Sequence, residues 1–376
     1  MGLLTDDQKM LQETAASFLA EEGSVGKQLR HWRDIGCKDG FGHGLWKQFA
    51  ELGLTGICIP ESDGGLGLGA TAAALVLEEI GRNLTPSPFL ATAVVVARAI
   101  AGTQHADRWF PGILTGETIL ALAVDEGSRH GPAQTALEAK RQGNGFVLNG
   151  CKQFVVQGAS ADMIVTAART AGSLGEPDGI TLFAMPRDAK GLEIENVALV
   201  DSSKAARLTF ENVQLDADAV IGEVDGGWAP LKRALAAGNA GAAAELVGVA
   251  SGASAMTLDY LRQRKQFGKL IGEFQALQHR AAHLYAEIEI ARAAAFKAAQ
   301  LLDAGDEQAE LYASVAKAKS ADVANFAVRE GVQMHGGIGM TDEHDIGLYM
   351  KREAVLGELW GDVYYHREQV ARLSGY

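Results

Sequence analysis

A basic turn between Leu261 and Gln278 contains the residues of this chain best suited to binding a charged ligand. Arg262 and Arg264 each present a planar fork of N–H donors, the geometry that binds phosphate through two parallel hydrogen bonds. Two interpretations stay open from these residues alone. The turn is either a phosphate site or an ordinary helix end, where cations favour the negative pole and glycine stops the helix. The turn also contains Phe267, Lys265, Lys269, Gly268 and Gly272.

Three segments of the chain, taken together, resemble signatures of the acyl-CoA dehydrogenase family. One is a glycine-rich stretch from Pro60 to Gly67 (PESDGGLG), and another runs from Gln333 to Gly339 (QMHGGIG). The three occur in the order and at the spacing of the family, so the resemblance covers nearly the whole chain. The basic turn fills the pattern R-x-x-F-G-x-x-I-x-x-F-Q through Arg264, Phe267, Gly268, Ile271, Phe274 and Gln275.

The resemblance implies an FAD-linked enzyme that oxidises an acyl-CoA between Cα and Cβ. It implies that the basic turn holds FAD in one subunit and that the Gln333 segment contacts it from the neighbouring subunit. Residues 149–158 resemble the family strand that lies against the flavin, with Val156 in place of a hydroxyl residue, so that only the main chain can donate there. The neighbouring family segment is replaced by Asp125 to Ser128. The implied FAD contacts are Arg264, Phe267, Phe274, Gln275, Gln333, Gly336, Gly337, Phe154 and Val156.

The usual catalytic carboxylate of the family is missing from its expected position. Most members remove the α-proton with the glutamate of a Glu-Gly pair, and aligning Lys351 and Arg352 with the preceding Arg-Asp of the family places Trp360 there. The Trp360 main chain keeps its N–H, which can donate to a thioester carbonyl. Glu358 and Asp362 would point the same way as Trp360 only in an extended backbone.

Glu245 is the predicted base instead. Some family members take the base from the first long C-terminal helix, at the position of Gly238 here. Glu245 lies seven residues later, near the same helical face but about 10 Å further along. The other residues of that face are glycines, which predicts a bare groove with a single carboxylate. These glycines are Gly238, Gly241, Gly248 and Gly252.

A packing role for Glu245 is the alternative. Glycine in a helix interior costs up to ~1 kcal/mol relative to alanine, so four of them indicate a close approach by another group. That group is either a ligand or the backbone of a second helix, with Glu245 paired to an arginine such as Arg233. Under the ligand interpretation, the substrate contacts expected are Trp360, Gly238 and Gly241.

Composition restricts the class of protein. The chain has 376 residues, 47% of them hydrophobic and 22% charged, with a net charge of −13. This acidity argues against a nucleic-acid partner, which needs a basic face. The cysteines Cys37, Cys58 and Cys151 are too far apart for a metal or redox motif, so no metal is expected. The N-terminus lacks a signal sequence and no apolar run reaches ~18 residues, which predicts a cytoplasmic protein without a membrane partner.

The pattern of elements predicts an α+β multidomain fold. An N-terminal helical domain (1–116) is followed by a small middle β domain (117–225) and a C-terminal four-helix bundle (226–376). Thr5 and Gln8 predict a capping box at the first helix. Asn149 and Gly150, between two β-rich runs, predict a hairpin turn. The bundle helices are expected near 230–264, 274–302, 306–334 and 362–373.

The resemblance therefore implies an FAD-dependent acyl-CoA dehydrogenase of lipid β-oxidation. The resemblance implies a homotetramer, or an α2β2 heterotetramer with a second family chain, that passes electrons to an acceptor flavoprotein. The departures from the family pattern resemble heterotetrameric members that act on bulky steroid-type, dicarboxylic or branched acyl groups. The rival hypothesis is a non-catalytic structural subunit that contributes FAD-binding residues to a catalytic partner.

Overall fold

The computed structural model describes residues 4–376, with helices at both ends and a β-sheet in the middle. The strands are β1 (Leu120–Ala123), β2 (Glu138–Gln142), β3 (Gly145–Val156), β4 (Met163–Arg169), β5 (Ile180–Pro186), β6 (Leu192–Ala198), β7 (Lys204–Leu215), β8 (Val220–Ile221), β9 (Lys265–Gln266) and β10 (Lys269–Leu270). The α-helices are α1 (Asp6–Glu21), α2 (His31–Asp34), α3 (His43–Glu51), α4 (Gly69–Asn83), α5 (Ala97–Ile100), α6 (Gln104–Leu114), α7 (Trp228–Gln263), α8 (Gln275–Ala304), α9 (Ala309–His335), α10 (Ile346–Glu358) and α11 (Val363–Leu373).

Helix ends follow the capping chemistry of the sequence. The predicted capping box at α1 is confirmed, because the Thr5 hydroxyl accepts from the Gln8 N–H and the Gln8 side chain accepts from the Thr5 N–H. Gly53 follows α3 with φ 73°, and Gly305 ends α8 with φ 62°, the left-handed conformation that glycine tolerates best.

The middle sheet has strand order β6-β7-β3-β2-β4-β5-β8, and β1 pairs in parallel with β4. The predicted hairpin at Asn149 and Gly150 is wrong, because both residues lie inside the single strand β3. The strand bends there: its register against β7 shifts between Leu148 and Gly150, and Gly150 has φ 143°. The turn itself joins β2 to β3 at Gly143, which has φ 60°.

The described chain forms two compact units. One comprises residues 4–31, 70–86 and 239–376, and the other comprises residues 32–69 and 87–238. The first unit is helical and contains α8 to α11, whereas the second contains the middle sheet. The proposed domain boundaries at 117 and 226 remain predictions.

The C-terminal region contains one more long helix than the sequence predicted. The predicted four are α7, α8, α9 and α11, and α10 lies between the last two. The 36-residue helix α7 is long and apolar enough to span a membrane, but 78% of its most apolar window is buried inside the protein. It is thus a mostly buried helix.

Helices α4 and α7 meet backbone to backbone inside the first unit. A methyl group added at Gly248 of α7 would overlap the main-chain oxygen of Glu78, and one added at Gly81 of α4 would overlap that of Glu245. At Gly252 an added methyl would lie 2.6 Å from the Arg82 carbonyl oxygen. These glycines allow the two backbones to approach, which offsets their low helix propensity.

Alanine at position 248 is therefore expected to destabilise the protein by about 1–3 kcal/mol, because the added methyl forces a rigid backbone to move. Thermal or urea unfolding of Gly248→Ala measures the effect. Gly347→Ala is the matched control: Gly347 lies in α10 with no atom within 4 Å of an added methyl, so stability should stay equal or rise by up to ~1 kcal/mol. Equal effects in both variants would contradict the close helix crossing.

Candidate functional site

The basic turn is a short β-hairpin at the protein surface. Strands β9 and β10 pair antiparallel, and Phe267 and Gly268 connect them with φ values of 54° and 80°. The Phe267 side chain is 90% exposed. Its ring lies 6.3 Å from that of Phe274, and the Lys269 ammonium lies 4.3 Å from the centre of the Phe274 ring. The turn thus presents an aromatic ring with adjacent cations to solvent, the composition expected of a site for an anionic aromatic ligand.

Arg264 is held in position through its main chain. Its N–H donates to the Tyr260 carbonyl, and its carbonyl accepts from the Ile271 N–H, each at 2.9 Å. The Arg264 side chain is exposed. By contrast, the Arg262 guanidinium lies 3.2 Å from the Asp259 carboxylate. Of the two arginines, Arg264 is therefore the better placed to bind a phosphate.

The Gln333 segment is the C-terminal end of α9 and the turn that follows. The Gln333, Gly336 and Gly337 residues are exposed, and Gly336 has φ 64°. Between them, His335 is buried and its Nδ1 lies 2.7 Å from the Gly331 carbonyl oxygen. Burial lowers the pKa of His335, opposed by that hydrogen bond. His335 is thus a packing residue, and the exposed residues around it are the ones available to a ligand.

An aromatic stack connects this segment to the helix that leads into the basic turn. The His335 ring stacks on Tyr260 of α7 with centroids 4.5 Å apart, and it lies 4.4 Å from the ring of His344. Tyr260 also accepts the hydrogen bond from the Arg264 N–H. The two predicted FAD-binding segments are thereby supported by one packed cluster in the first unit.

In the second unit, the strand that resembles the flavin-contacting strand is irregular. Phe154 has φ 53°, and the register of β3 against β7 shifts between Lys152 and Val155. Phe154 and Val156 are both half-buried. A positive φ at an aromatic residue is strained and suits a position under functional constraint. The strain falls at one of the predicted cofactor contacts.

The carboxylates that replace the family segment after β1 are bound to their own unit. Asp125 accepts from His130 Nδ1 at 2.8 Å. Glu126 lies 2.7 Å from the ammonium of the fully buried Lys152 and accepts from the main-chain N–H groups of residues 136 and 137. Burial lowers the pKa of Lys152, opposed by Glu126. These side chains stabilise the loop, so they add no donor for a flavin.

Trp360 occupies a strained turn between α10 and α11. It is buried and has φ 53°, and Gly361 follows with φ 111°. Among the described residues, no acceptor pairs with the Trp360 N–H. The neighbouring carboxylates lie at helix ends: Glu358 ends α10, and Asp362 caps α11 by accepting from the Tyr365 N–H at 2.7 Å. The turn offers a main-chain donor in place of a carboxylate.

Glu245 is paired with an arginine that the sequence did not identify. Its Oε1 accepts from Arg352 of α10, at 2.9 Å from Nε and 2.5 Å from Nη2, whereas the suggested partner Arg233 is exposed. The side chain of Glu245 is only 3% exposed. The predicted bare groove is filled at Gly248 and Gly252, where α4 packs.

These contacts favour the packing alternative, and the catalytic role of Glu245 remains a prediction. Gly238 and Gly241, the predicted substrate contacts on the same helix, are both buried.

The residues of the basic turn fit FAD. The exposed Arg264 guanidinium suits the diphosphate, and the exposed Phe267 ring suits an aromatic ring system. Both are on a hairpin whose main chain is hydrogen-bonded at Arg264 and Ile271.

Comparison with known proteins agrees with this geometry. The chain matches the acyl-CoA dehydrogenase N-terminal, middle and C-terminal domain families over residues 5–117, 124–213 and 225–374. It is 30% identical over 372 residues to a cyclohex-1-ene-1-carbonyl-CoA dehydrogenase of Syntrophus aciditrophicus (strain SB), covering 96% of this chain and 87% of that protein.

Two further proteins support the same assignment. The short/branched chain specific acyl-CoA dehydrogenase of Bos taurus mitochondria is 29% identical over 363 residues, with 94% and 82% coverage. The solved structure of a Tcur3481-Tcur3483 steroid ACAD variant superimposes with a TM-score of 0.88 at 30% identity, covering 98% of each chain. The chain therefore belongs to the acyl-CoA dehydrogenase family, whose members depend on FAD.

Proposed function

We propose that this chain acts on a bulky or branched acyl-CoA as a subunit of an oligomeric FAD-linked dehydrogenase. Support for the acyl group comes from what its relatives are named for: a cyclohexenecarbonyl-CoA, a short or branched acyl-CoA and a steroid. When bound, FAD accepts the hydride that leaves Cβ. The assembly is a homotetramer or an α2β2 heterotetramer in the cytoplasm, and an electron-acceptor flavoprotein reoxidises it.

The main structural support for the proposal is the turn that contains Trp360. Its N–H has no partner among the described residues, and its left-handed backbone is unusual for a bulky side chain. A donor held in this way can bind the thioester oxygen, where negative charge develops as the α-proton leaves. The side chain of Trp360 cannot take that proton. A carboxylate from elsewhere must act as the base.

Two sources of that base remain in the proposal. Glu245 of this chain is one, since a carboxylate in a water-poor setting can remove an α-proton. The other is a second family chain, which would make this chain the structural subunit. The second source is favoured by one observation: the Glu245 carboxylate is buried and bound to Arg352.

Anaerobic flavin reduction tests the proposal. The chain is purified alone and after co-expression with a second family chain from the same genome, and the visible spectrum is followed as CoA thioesters with linear, branched, cyclic and steroid acyl groups are added. We expect bound FAD to be bleached, with bulky acyl groups fastest. Bleaching only in the co-expressed complex assigns the base to the partner. Absence of flavin in both preparations would contradict the proposal.

A further inference from the structure

Lys317 of α9 is completely buried and binds the turn that contains Trp360. Its side chain has 0% exposure. Its Nζ lies 3.0 Å from each of three main-chain carbonyl oxygens, those of Gly357, Leu359 and Gly361. An ammonium has three N–H donors and no acceptor, so all three donors are used on this turn. A buried lysine whose ammonium binds only main-chain oxygens is unusual, because burying a charge costs free energy that strong hydrogen bonds must offset.

The turn needs such support because its backbone is strained and its oxygens lack helical partners. The last carbonyls of a helix have no intrahelical donor, and they form the negative end of the helix dipole, where a cation is stabilising. Trp360 and Gly361 both have positive φ, and a methyl group at Gly361 would lie 2.4 Å from Tyr365 Cδ1. The three hydrogen bonds fix the residues on both sides of Trp360.

We propose that Lys317 is a positioning residue for substrate: its ammonium fixes the turn in the conformation that presents the Trp360 N–H to the thioester carbonyl. This inference rests on the proposed function. It adds a residue on a different helix, α9, that does not touch the substrate. Lys317 acts through the main chain of the turn alone.

The proton on Lys317 makes this support dependent on pH. Burial lowers the pKa of Lys317 to about 7, opposed by Glu358, Asp362 and Glu353 around the turn. Below that pH the ammonium binds all three carbonyls. Above it the amine has two donors, so one carbonyl loses its partner and the turn loosens. Among the charged groups of the helices packed against α9, Lys319 pairs with Glu287, Arg280 with Glu330 and Arg367 of α11 with Asp322. The buried His366 of α11 lies beside the turn, with Nε2 3.0 Å from the position of a methyl group at Gly361.

The test compares a ligand that has the carbonyl with one that lacks it. Pivaloyl-CoA, a branched thioester without an α-proton that therefore cannot reduce the flavin, and its thioether S-neopentyl-CoA are titrated into the FAD-loaded protein, alone or in its co-expressed complex, and binding is read from the flavin spectrum. Lys317→Met is expected to raise the dissociation constant of the thioester about tenfold, which corresponds to one hydrogen bond near 1.4 kcal/mol. The dissociation constant of the thioether should stay unchanged. Lys319→Met, two residues along α9 and paired with Glu287, should change neither affinity.

Two measurements keep the inference falsifiable if Lys317→Met folds poorly. In the wild type, the ratio of thioester to thioether dissociation constants should rise by up to about tenfold as the pH increases from 6 to 8.5. The protection of the segment 357–363 amides, after correction for the base-catalysed rise of the intrinsic exchange rate, should fall over the same range. Equal weakening of both ligands in Lys317→Met, or a ratio independent of pH, would overturn the positioning role. Failure of the wild type to bind either CoA compound would contradict the proposed function instead. Amide exchange does not require a bound ligand, so it would still show whether Lys317 stabilises the turn.

Discussion

Replacement of Arg264 by alanine is expected to weaken FAD binding by about 10-fold to 100-fold, the range of a charged hydrogen bond worth ~1.5–3 kcal/mol. The guanidinium is exposed on a hairpin whose main chain is fixed by hydrogen bonds to Tyr260 and Ile271. Removing it therefore deletes a phosphate donor without disturbing a core. The flavin absorbance that stays with the protein on gel filtration, and the melting temperature, measure the two effects separately.

Arg262→Ala is the matched control for this prediction. Arg262 has the same side chain two residues earlier, but it is paired with Asp259 and highly exposed, so its loss should reduce flavin content little. Gln333→Ala should weaken flavin binding less than Arg264→Ala, because a neutral donor is worth about half a charged one. Full flavin retention in Arg264→Ala would show that the basic turn is not the cofactor site.

Local signals in the sequence predicted most of the helices, because their causes lie within a few residues. The capping box of α1 depends on Thr5 and Gln8 alone. The same locality misled the interpretation of Asn149 and Gly150. That pair is also compatible with a bulge inside a long strand. Pairing with β7, about sixty residues further along the chain, determines that the strand continues through the pair instead of turning. Pairing partners at that distance leave no mark in the local sequence.

The candidate site likewise contains some features that depend on neighbouring residues and others that depend on residues far away in the sequence. The segments predicted to bind FAD are short motifs, and the sequence contains them at Arg264 and Gln333. The partners of Glu245 and of the Trp360 turn are not local: Arg352 is 107 residues from Glu245, and Lys317 is 40 to 44 residues from the carbonyls it binds. A lysine in an alanine-rich helix resembles any solvent-facing residue. Only the packing of α9 against α10 and α11 shows that it is buried.

Conversion of Glu245 to glutamine is expected to lower stability by about 3 kcal/mol, because it leaves the Arg352 guanidinium without its counter-ion beside a buried helix crossing. Arg352→Met should have a comparable effect for the converse reason. The double variant should lose less than the sum of the two, since neither charge is then left unpaired. Urea unfolding of the four proteins measures this coupling.

The same proteins decide whether Glu245 is the base. A general base contributes about 10²–10⁴-fold to the rate, whereas an ion pair that only supports α7 and α10 contributes nothing to the chemical step. Because Glu245 is bound to Arg352, we expect Glu245→Gln to reduce flavin at a rate within about tenfold of the wild-type rate. The rate is taken per bound flavin in the assembled protein, and tenfold corresponds to roughly 1.4 kcal/mol of activation free energy. A loss of a hundredfold or more in Glu245→Gln, with an unchanged rate in Arg352→Met, would instead establish Glu245 as the base and make this chain catalytic on its own.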